Sequence, residues 1–255
     1  MTTSASRTVR ASIPLDDGSW IPAVLARPSG QSQVEGWPAV IVLHEIFGLT
    51  PDIEAAAQRL ADDGYVAVAP DLLAHGGPRA LCLARAMAEV HSGRPGRTTA
   101  DVEATRRWLI GQPTVDRDRL GVIGFCMGGG FALAFAAGGP DGLRAASVNY
   151  GEVPEDAEAL RRVCPVVASY GGRDRVVGPQ AARLEQHLQR LGVEHDVQVY
   201  DAAGHAFMTP GKRRPLTELV MFPTHPGYEP ESAGDAWARV LRFFDEHVRK
   251  GRATR

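Results

Sequence analysis

One cysteine, Cys126, stands in a setting that predicts nucleophilic chemistry. It is the centre of the segment Gly-Phe-Cys-Met-Gly at 124–128, which follows an apolar run at 120–123 and precedes a helix-like stretch at 131–137. A strand, Gly-x-Cys-x-Gly and a helix are together typical of a nucleophile elbow, with sulfur where serine is usual. Glycines beside the nucleophile permit a sharp, strained turn. The N-terminus of the following helix favours a thiolate, so Cys126 is a candidate nucleophile.

Two later residues could activate this cysteine. A nucleophile needs a base, and the base needs a carboxylate that orients it. Asp174 directly follows a predicted strand at 165–170, and His205 follows another that ends at 200. Nucleophile, acid and then histidine is the chain order of α/β-hydrolases, so the sequence predicts a catalytic triad of Cys126, Asp174 and His205. Asp201 is an alternative acid close to the histidine in sequence.

The segment His-Glu-Ile-Phe-Gly at 44–48 offers a second element of acyl-transfer chemistry. It follows an apolar run at 39–43, where α/β-hydrolases place a loop that donates a hydrogen bond to the oxyanion. We expect the backbone N–H groups of Met127 and Ile46 to form the oxyanion hole. Glu45 is unexpected there, because a carboxylate opposes the developing negative charge. Either it is held away during turnover, it has a separate role, or it is a solvated loop residue.

The elements that must position these residues alternate between strands and helices. Two strands at 8–13 and 20–27 flank an Asp-Asp-Gly turn, and further strands are predicted at 39–43, 65–69, 120–125, 145–150, 165–170 and 195–200. Helices are predicted between and after them, at 51–63, 80–90, 99–111, 180–191 and 233–249. Such alternation predicts an α/β fold with a mostly parallel central sheet and helices on both faces. We expect a single domain over 1–255, with a loop or lid at 208–229 that breaks the alternation.

Composition narrows the class of function. The chain has 255 residues, 44% hydrophobic and 23% charged, with a net charge of −2. This balance does not favour nucleic acid or an anionic membrane as a partner. Apolar runs are too short to cross a membrane, and the polar first ten residues lack the apolar core of a secretory signal. The three cysteines fit neither a disulfide framework nor a zinc pattern. We therefore expect a cytoplasmic protein without a cofactor or metal; its oligomeric state is open.

Taken together, the four motifs resemble those of the dienelactone hydrolase family, whose namesake is carboxymethylenebutenolidase. They are His-Glu-Ile-Phe-Gly, Gly-Phe-Cys-Met-Gly-Gly, an Asp after a strand, and Gly-His-x-Phe. The resemblance covers nearly the whole chain and implies an α/β-hydrolase fold with a Cys126–His205–Asp174 triad. It implies that Glu45 contacts the resting cysteine and takes the thiol proton once substrate binding rearranges the site. It also implies a small-molecule ester or lactone as substrate.

The family's namesake members hold the substrate carboxylate with two arginines. The resemblance places one of them four residues after the catalytic histidine, where this chain has Thr209. For the other, Arg79 is a candidate and Arg85 a weaker one, and Phe47 is a further candidate for substrate contact. Lys212, Arg213 or Arg214 could replace the missing cation from the predicted lid. The departure at Thr209 leaves the natural substrate open, including whether it carries a carboxylate.

Two hypotheses summarise the sequence. The first is a cysteine-dependent hydrolase of an ester or enol lactone that works through a thioester acyl-enzyme. The alternative is a non-catalytic binding protein that retains an α/β-hydrolase fold, because fold does not determine function. A redox role for Cys126 is less favoured, since the chain has no Cys-x-x-Cys motif. A metal site is disfavoured as well, because His44-Glu45 lacks a second histidine at helical spacing.

Overall fold

The eight described strands form one sheet. The computed structural model describes residues 7–30, 36–75, 77–211 and 224–250. The strands are β1 (Arg7–Pro14), β2 (Trp20–Arg27), β3 (Trp37–Leu43), β4 (Val66–Pro70), β5 (Val115–Phe125), β6 (Leu143–Asn149), β7 (Val166–Gly171) and β8 (His195–Tyr200). Their order across the sheet is β1-β2-β4-β3-β5-β6-β7-β8. The first hairpin and the β2–β4 pair are antiparallel, and the remaining pairs are parallel.

Helices connect the parallel strands. They are α1 (Pro51–Asp62), α2 (Arg79–Ser92), α3 (Arg97–Ile110), α4 (Met127–Ala137), α5 (Gln180–Leu191) and α6 (Pro230–Phe244), with a short 3₁₀ turn at Ala157–Leu160 and a π-helical turn at Asp245–Arg249. Consecutive residues of β3 and β4 are buried. Successive strand residues face opposite sides of a sheet, so both faces are covered. The predicted α/β-hydrolase fold with a mostly parallel sheet is therefore confirmed.

Five of the six described helices pack in two groups. Helices α1 and α6 contact each other through Arg59, whose guanidinium lies 4.8 Å from the centre of the Trp237 ring. Helix α6 also packs on the sheet, where Phe244 is fully buried and would crowd any side chain added at Gly121. Helices α2 and α3 pack around α4 instead. The apolar α4 is buried along most of its length and carries the turn that presents Cys126.

Several element boundaries differ from the sequence-based expectations. Strand β5 begins at Val115 rather than at 120, because Val115 pairs with Trp37 before the apolar part of the strand starts. Helix α6 begins at Pro230, because the Glu229 carboxylate accepts hydrogen bonds from the N–H groups of Glu231 and Ser232. The first turn of such a helix is polar and is stabilised by capping, so the spacing of apolar residues does not predict it.

The predicted loop or lid at 208–229 lies only partly within the described residues. Residues 212–223 are outside them, and these include the lid cations Lys212, Arg213 and Arg214. The described ends of the segment stay close to the predicted site, since the His205 N–H donates to the Thr224 carbonyl at 2.9 Å and the Gly227 N–H donates to the His205 carbonyl at 3.0 Å. No helix in the described parts of the chain is long and apolar enough to cross a membrane.

Candidate active site

The turn between β5 and α4 holds Cys126 in a strained conformation. Its φ is 54° and its ψ is −119°, a region that residues with side chains rarely adopt. The backbone fixes it from both sides, since its N–H donates to the Asn149 carbonyl at 3.0 Å and its carbonyl accepts from Gly129 at 2.8 Å. A Cβ at Gly124 would collide with the Gly128 carbonyl, and one at Gly128 would collide with the backbone at the end of β3. The two glycines therefore permit the close approach that the elbow requires.

Three residues predicted for the triad lie in a continuous hydrogen-bonded row. His205 Nε2 is 3.0 Å from Cys126 Sγ, and His205 Nδ1 is 2.6 Å from Asp174 Oδ2. Each follows a different strand (β5, β7 and β8), and the carboxyl ends of parallel strands meet at one edge of the sheet. The sheet thus brings together residues 79 and 31 positions apart in the chain.

Asp174 is the acid that the structure brings to His205. Its side chain is buried, and its second oxygen accepts hydrogen bonds from the N–H groups of Val176 and Val177, each at 3.0 Å. Burial alone would raise the pKa of Asp174, but the bonds from His205 and these N–H groups outweigh it and lower the pKa. The carboxylate is therefore charged at neutral pH. The alternative acid, Asp201, is exposed.

The protonation of His205 depends on its two partners. Burial lowers the pKa of this imidazole, but the negative charge of a Cys126 thiolate and the bonds with Asp174 and Cys126 outweigh it and raise the pKa to about 10. His205 can therefore hold a proton taken from the Cys126 thiol, because the resulting imidazolium lies beside the Asp174 carboxylate. A thiolate is the nucleophilic form of cysteine, so the arrangement can deliver an activated nucleophile without another base.

The two N–H groups predicted to form the oxyanion hole make no hydrogen bond within the described part of the chain. The N–H groups of Ile46 and Met127 donate to no described acceptor. Met127 is the first residue of α4, whose leading N–H groups have no partner within the helix. Free N–H groups on the loop after β3 and next to the nucleophile are what an oxyanion hole requires.

His44, which precedes Glu45, fixes this loop. Its ring is fully buried, with Nδ1 2.6 Å from the Glu45 carbonyl and Nε2 2.9 Å from the Leu72 nitrogen. The Leu72 N–H can only donate, so Nε2 accepts and Nδ1 carries the proton. Burial lowers the pKa of His44, which keeps this neutral form. His44 therefore ties the Glu45 carbonyl to the loop after β4, and it holds the adjoining Ile46 N–H in place.

Arg79 supports the same loop. Its guanidinium lies 3.1 Å from Asp71 Oδ2 and donates to the Phe47 carbonyl at 3.3 Å. The Arg79 side chain is 53% exposed, and the Phe47 ring, the other residue predicted to contact substrate, is also exposed. Arg79 has its described partners within the protein, so its predicted role in binding a substrate carboxylate stays a prediction.

Glu45 lies close to the hydrogen-bonded row of Cys126, His205 and Asp174, but its carboxylate accepts a hydrogen bond from Thr209, which is outside that row. Its carboxyl is buried, and Oε1 is 3.1 Å from the Thr209 hydroxyl. Burial is the main reason that the pKa of Glu45 is raised, although Thr209 and the nearby His205 charge oppose the shift. Thr209, which stands where the resemblance implies an arginine, thus contacts Glu45 directly.

Sequence reasoning missed Tyr150, which lies close to His205, Cys126, Glu45 and Thr209. Its ring is buried and meets the His205 ring edge-on, with centroids 5.1 Å apart. Burial raises the pKa of Tyr150 well above its usual value, with the charges of Glu45 and Cys126 adding to the effect. Its hydroxyl lies near Glu45 and Thr209 yet has no well-formed hydrogen bond among the described residues. A polar residue at the end of a parallel strand was the available signal.

A cavity and a group of possible metal ligands lie away from the triad residues. A cavity of about 280 Å³ between α2 and the start of α3 is lined by residues that include His75, Cys82 and Arg85, and its described lining contains no predicted catalytic residue. Glu194, Glu246 and His247 form the one described cluster whose ligand atoms are close enough to hold a metal ion. The two glutamates are exposed, and such clusters are common on protein surfaces without an ion.

Comparisons with known proteins place the chain in a family. The model of the dienelactone hydrolase family matches residues 21–248. A protein of Methylorubrum extorquens named as a candidate carboxymethylenebutenolidase is 32% identical over 92% of this chain and 79% of its own length. The carboxymethylenebutenolidase of Rhodococcus opacus is 29% identical over 84% and 83% of the two chains.

A solved structure has the same fold. The crystal structure of a dienelactone hydrolase from Anabaena variabilis superposes with a TM-score of 0.73 over 96% of this chain and 100% of that one, at 19% identity. At that identity the likeness concerns the fold. Because the family model covers most of the sequence, the chain belongs to the dienelactone hydrolase family.

Proposed function

We propose that this protein is a cysteine-dependent hydrolase of esters or enol lactones, with Cys126 as nucleophile, His205 as acid and base, and Asp174 as the orienting acid. The observation that carries the proposal is the hydrogen-bonded row, with 3.0 Å between sulfur and imidazole and 2.6 Å between imidazole and carboxylate. Family membership supports hydrolytic chemistry of the dienelactone hydrolase kind.

The first half of the reaction forms a thioester. The thiol proton moves to His205 Nε2, and the Cys126 thiolate attacks the substrate carbonyl. The tetrahedral oxyanion accepts hydrogen bonds from the Ile46 and Met127 N–H groups, and losing one such donor typically costs roughly 10²–10³ in rate. The intermediate then collapses, the bond to the leaving oxygen breaks, and the His205 imidazolium returns its proton to that oxygen.

The second half releases the acid. Neutral His205, oriented by Asp174, removes a proton from a water molecule as that water attacks the thioester carbonyl. The second tetrahedral intermediate uses the same two N–H groups. When it collapses, the carbon–sulfur bond breaks, and the proton on His205 returns to the Cys126 sulfur, which restores the thiol and the neutral imidazole.

The choice of substrate follows from the leaving group and from the cations near the site. A thiolate expels an alkoxide or enolate more readily than an amide nitrogen, so activated esters and enol lactones suit it better than peptides. Thr209 is neutral where the resemblance implies an arginine, and Arg79 is already paired with Asp71. We therefore infer a preference for substrates without a carboxylate. At matched leaving-group reactivity, a strong preference for carboxylate-bearing lactones would contradict this inference.

The proposal is tested by p-nitrophenyl acetate hydrolysis with the wild type and Cys126→Ala. We expect the variant to lose the enzyme-dependent rate, because the nucleophile is gone. Cys164→Ala is the matched control, since burial raises the pKa of that thiol to about 12 and leaves it unreactive. Hydrolysis that survives in Cys126→Ala would contradict the role of Cys126 as nucleophile. A wild type without activity on ester and lactone panels would contradict the proposal and favour a binding protein.

A further inference from the structure

The Ile46 N–H, the predicted second donor of the oxyanion hole, belongs to the same peptide group as the Glu45 carbonyl. A peptide group is planar and trans, so its N–H and C=O point in opposite directions. Two contacts hold the Glu45 oxygen, since His44 Nδ1 lies 2.6 Å from it and the Gly48 N–H donates to it at 3.1 Å. Fixing this carbonyl therefore also fixes the direction in which the Ile46 N–H points.

A rigid turn after β4 holds His44 from its other side. His44 Nε2 accepts the Leu72 N–H at 2.9 Å, so the proton of the neutral ring is on Nδ1. Next to Leu72, the Asp71 carboxylate accepts the Leu73 N–H at 3.1 Å and pairs with the Arg79 guanidinium at 3.1 Å. These bonds tie the turn to the start of α2, and the fully buried ring of His44 is fixed against it.

Arg79 holds the next part of the same loop. Its guanidinium donates to the Phe47 carbonyl at 3.3 Å, and a Cβ at Gly48 would collide with it. The loop is thus held at two carbonyls, one on each side of Ile46. The Arg79 side chain is 53% exposed, whereas the shorter contact of His44 is buried, where a hydrogen bond is electrostatically stronger. His44 is therefore the main support of the Ile46 N–H.

The hydrogen bonds through His44 all run in one direction. The Leu72 N–H donates to Nε2, the Nδ1–H donates to the Glu45 carbonyl, and the Ile46 N–H would donate to the substrate oxygen. Hydrogen bonds in such a chain polarise one another, and a polarised carbonyl makes the N–H of its peptide group a stronger donor. The chain ends where negative charge develops, so it favours the transition state over the bound substrate.

From this geometry we propose that His44 is a positioning residue for the oxyanion hole. Its Nδ1–H, donated to the Glu45 carbonyl, sets both the direction and the donor strength of the Ile46 N–H. The inference rests on the proposed function and deepens it, because it makes the turn after β4 part of the apparatus for acyl transfer. His44 acts only through Ile46, so its loss should slow the steps that form an oxyanion and spare other reactions of Cys126.

Two reactions of Cys126 separate this role from a merely structural one. Acylation by p-nitrophenyl acetate forms an oxyanion, whereas alkylation by iodoacetamide displaces iodide and forms none. We expect His44→Leu to lower the limiting rate constant of acylation by roughly 10²-fold, as for the loss of one donor, and to leave the half-saturating concentration and the alkylation rate unchanged. His44→Gln should recover most of the acylation rate, because its amide offers both a donor and an acceptor.

His187→Leu is the matched control. His187 Nε2 also lies near a backbone carbonyl oxygen, that of Pro154 at 3.1 Å, but on α5 and outside the proposed site. The control should leave both rates unchanged. Equal losses of acylation and alkylation in His44→Leu, or an unchanged acylation rate, would overturn the inference while the proposed function stands. A wild type that is not acylated on Cys126 would refute the proposed function and this inference with it.

Nuclear magnetic resonance of the wild type tests the same inference without a variant, and so does not depend on the folding of His44→Leu. The ¹⁵N chemical shifts of the His44 ring at pH 7 should show a neutral imidazole with its proton on Nδ1. A ring protonated on Nε2, or on both nitrogens, could not accept the Leu72 N–H and would overturn the inference.

Discussion

The charge on His205 is set by the residues on either side of it. With Asp174 at 2.6 Å and Cys126 at 3.0 Å, the imidazole is held between two groups that stabilise its protonated form. Asp174 accepts from two backbone N–H groups in addition, so its own position is fixed. The acid therefore determines both the orientation of the ring and which nitrogen faces the sulfur.

Replacing Asp174 tests that dependence. In Asp174→Asn the amide can donate to Nδ1, which would leave the proton on Nε2 and prevent His205 from accepting the thiol or water proton. We expect kcat to fall by roughly 10³–10⁴ with little change in KM. Steady-state kinetics with p-nitrophenyl acetate measure this, and Asp201→Asn is the control. Equal losses in the two variants would contradict the assignment of Asp174.

The contacts of single residues were the hardest to foresee. The order and the strand-end context of Cys126, Asp174 and His205 predict a triad. The bond between Thr209 and Glu45 joins positions 164 residues apart, and no local pattern encodes it. The same holds for His44, because its partner Leu72 lies on the loop after another strand. Such contacts depend on which strand ends become neighbours, and that is a property of the folded sheet.

At the scale of elements, apolar periodicity predicted the strands and helices, but their polar ends escaped it. Helix α5 and strand β8 have the predicted bounds, 180–191 and 195–200. Helix α3 begins at Arg97, two residues before the predicted start. Its first turn is capped from another helix, because the Glu89 carboxylate on α2 accepts hydrogen bonds from the N–H groups of Gly96, Thr98 and Thr99. A cap from ten residues away is not a local signal.

The contribution of this cap to the free energy of unfolding should depend on pH. Burial raises the pKa of Glu89, but the hydrogen bonds from Thr99, Thr98 and Gly96 outweigh it and lower the pKa below its usual 4.5. The stabilisation is therefore present above about pH 4.5 and is lost as the pH falls through the lower native value. We expect Glu89→Gln to reduce the free energy of unfolding by about 1 kcal/mol at pH 7, after allowing for solvent screening.

Urea unfolding at several pH values measures the effect. The difference between the wild type and Glu89→Gln should shrink as the pH falls from 6 towards 3. Glu103→Gln in the same region is the control, since its carboxylate pairs with the Arg106 guanidinium of the same helix and caps no described helix N-terminus. A difference for Glu89→Gln that is independent of pH would contradict the role of its charge.

At the scale of the whole molecule, the order of strands in the sheet explains why residues far apart in the sequence meet at one site. β5 lies in the middle of the parallel part of the sheet, with β3 on one side and β6, β7 and β8 on the other. The loops after β3, β5, β7 and β8 therefore open on the same edge. Alternation of strands and helices predicts this class of fold, because parallel strands need helical crossovers. It does not predict the strand order, which depends on pairing between distant segments.

The central claim, that Cys126 carries the acyl group, is tested most directly by the mass of the intact protein. The wild type is mixed with excess p-nitrophenyl acetate, quenched in acid within the first turnover, and measured before and after peptide mapping. We predict the addition of one acetyl group, located on Cys126, removed by hydroxylamine as a thioester should be, and absent from Cys126→Ala. An acetyl group on another residue, or turnover without acylation of Cys126, would contradict the account.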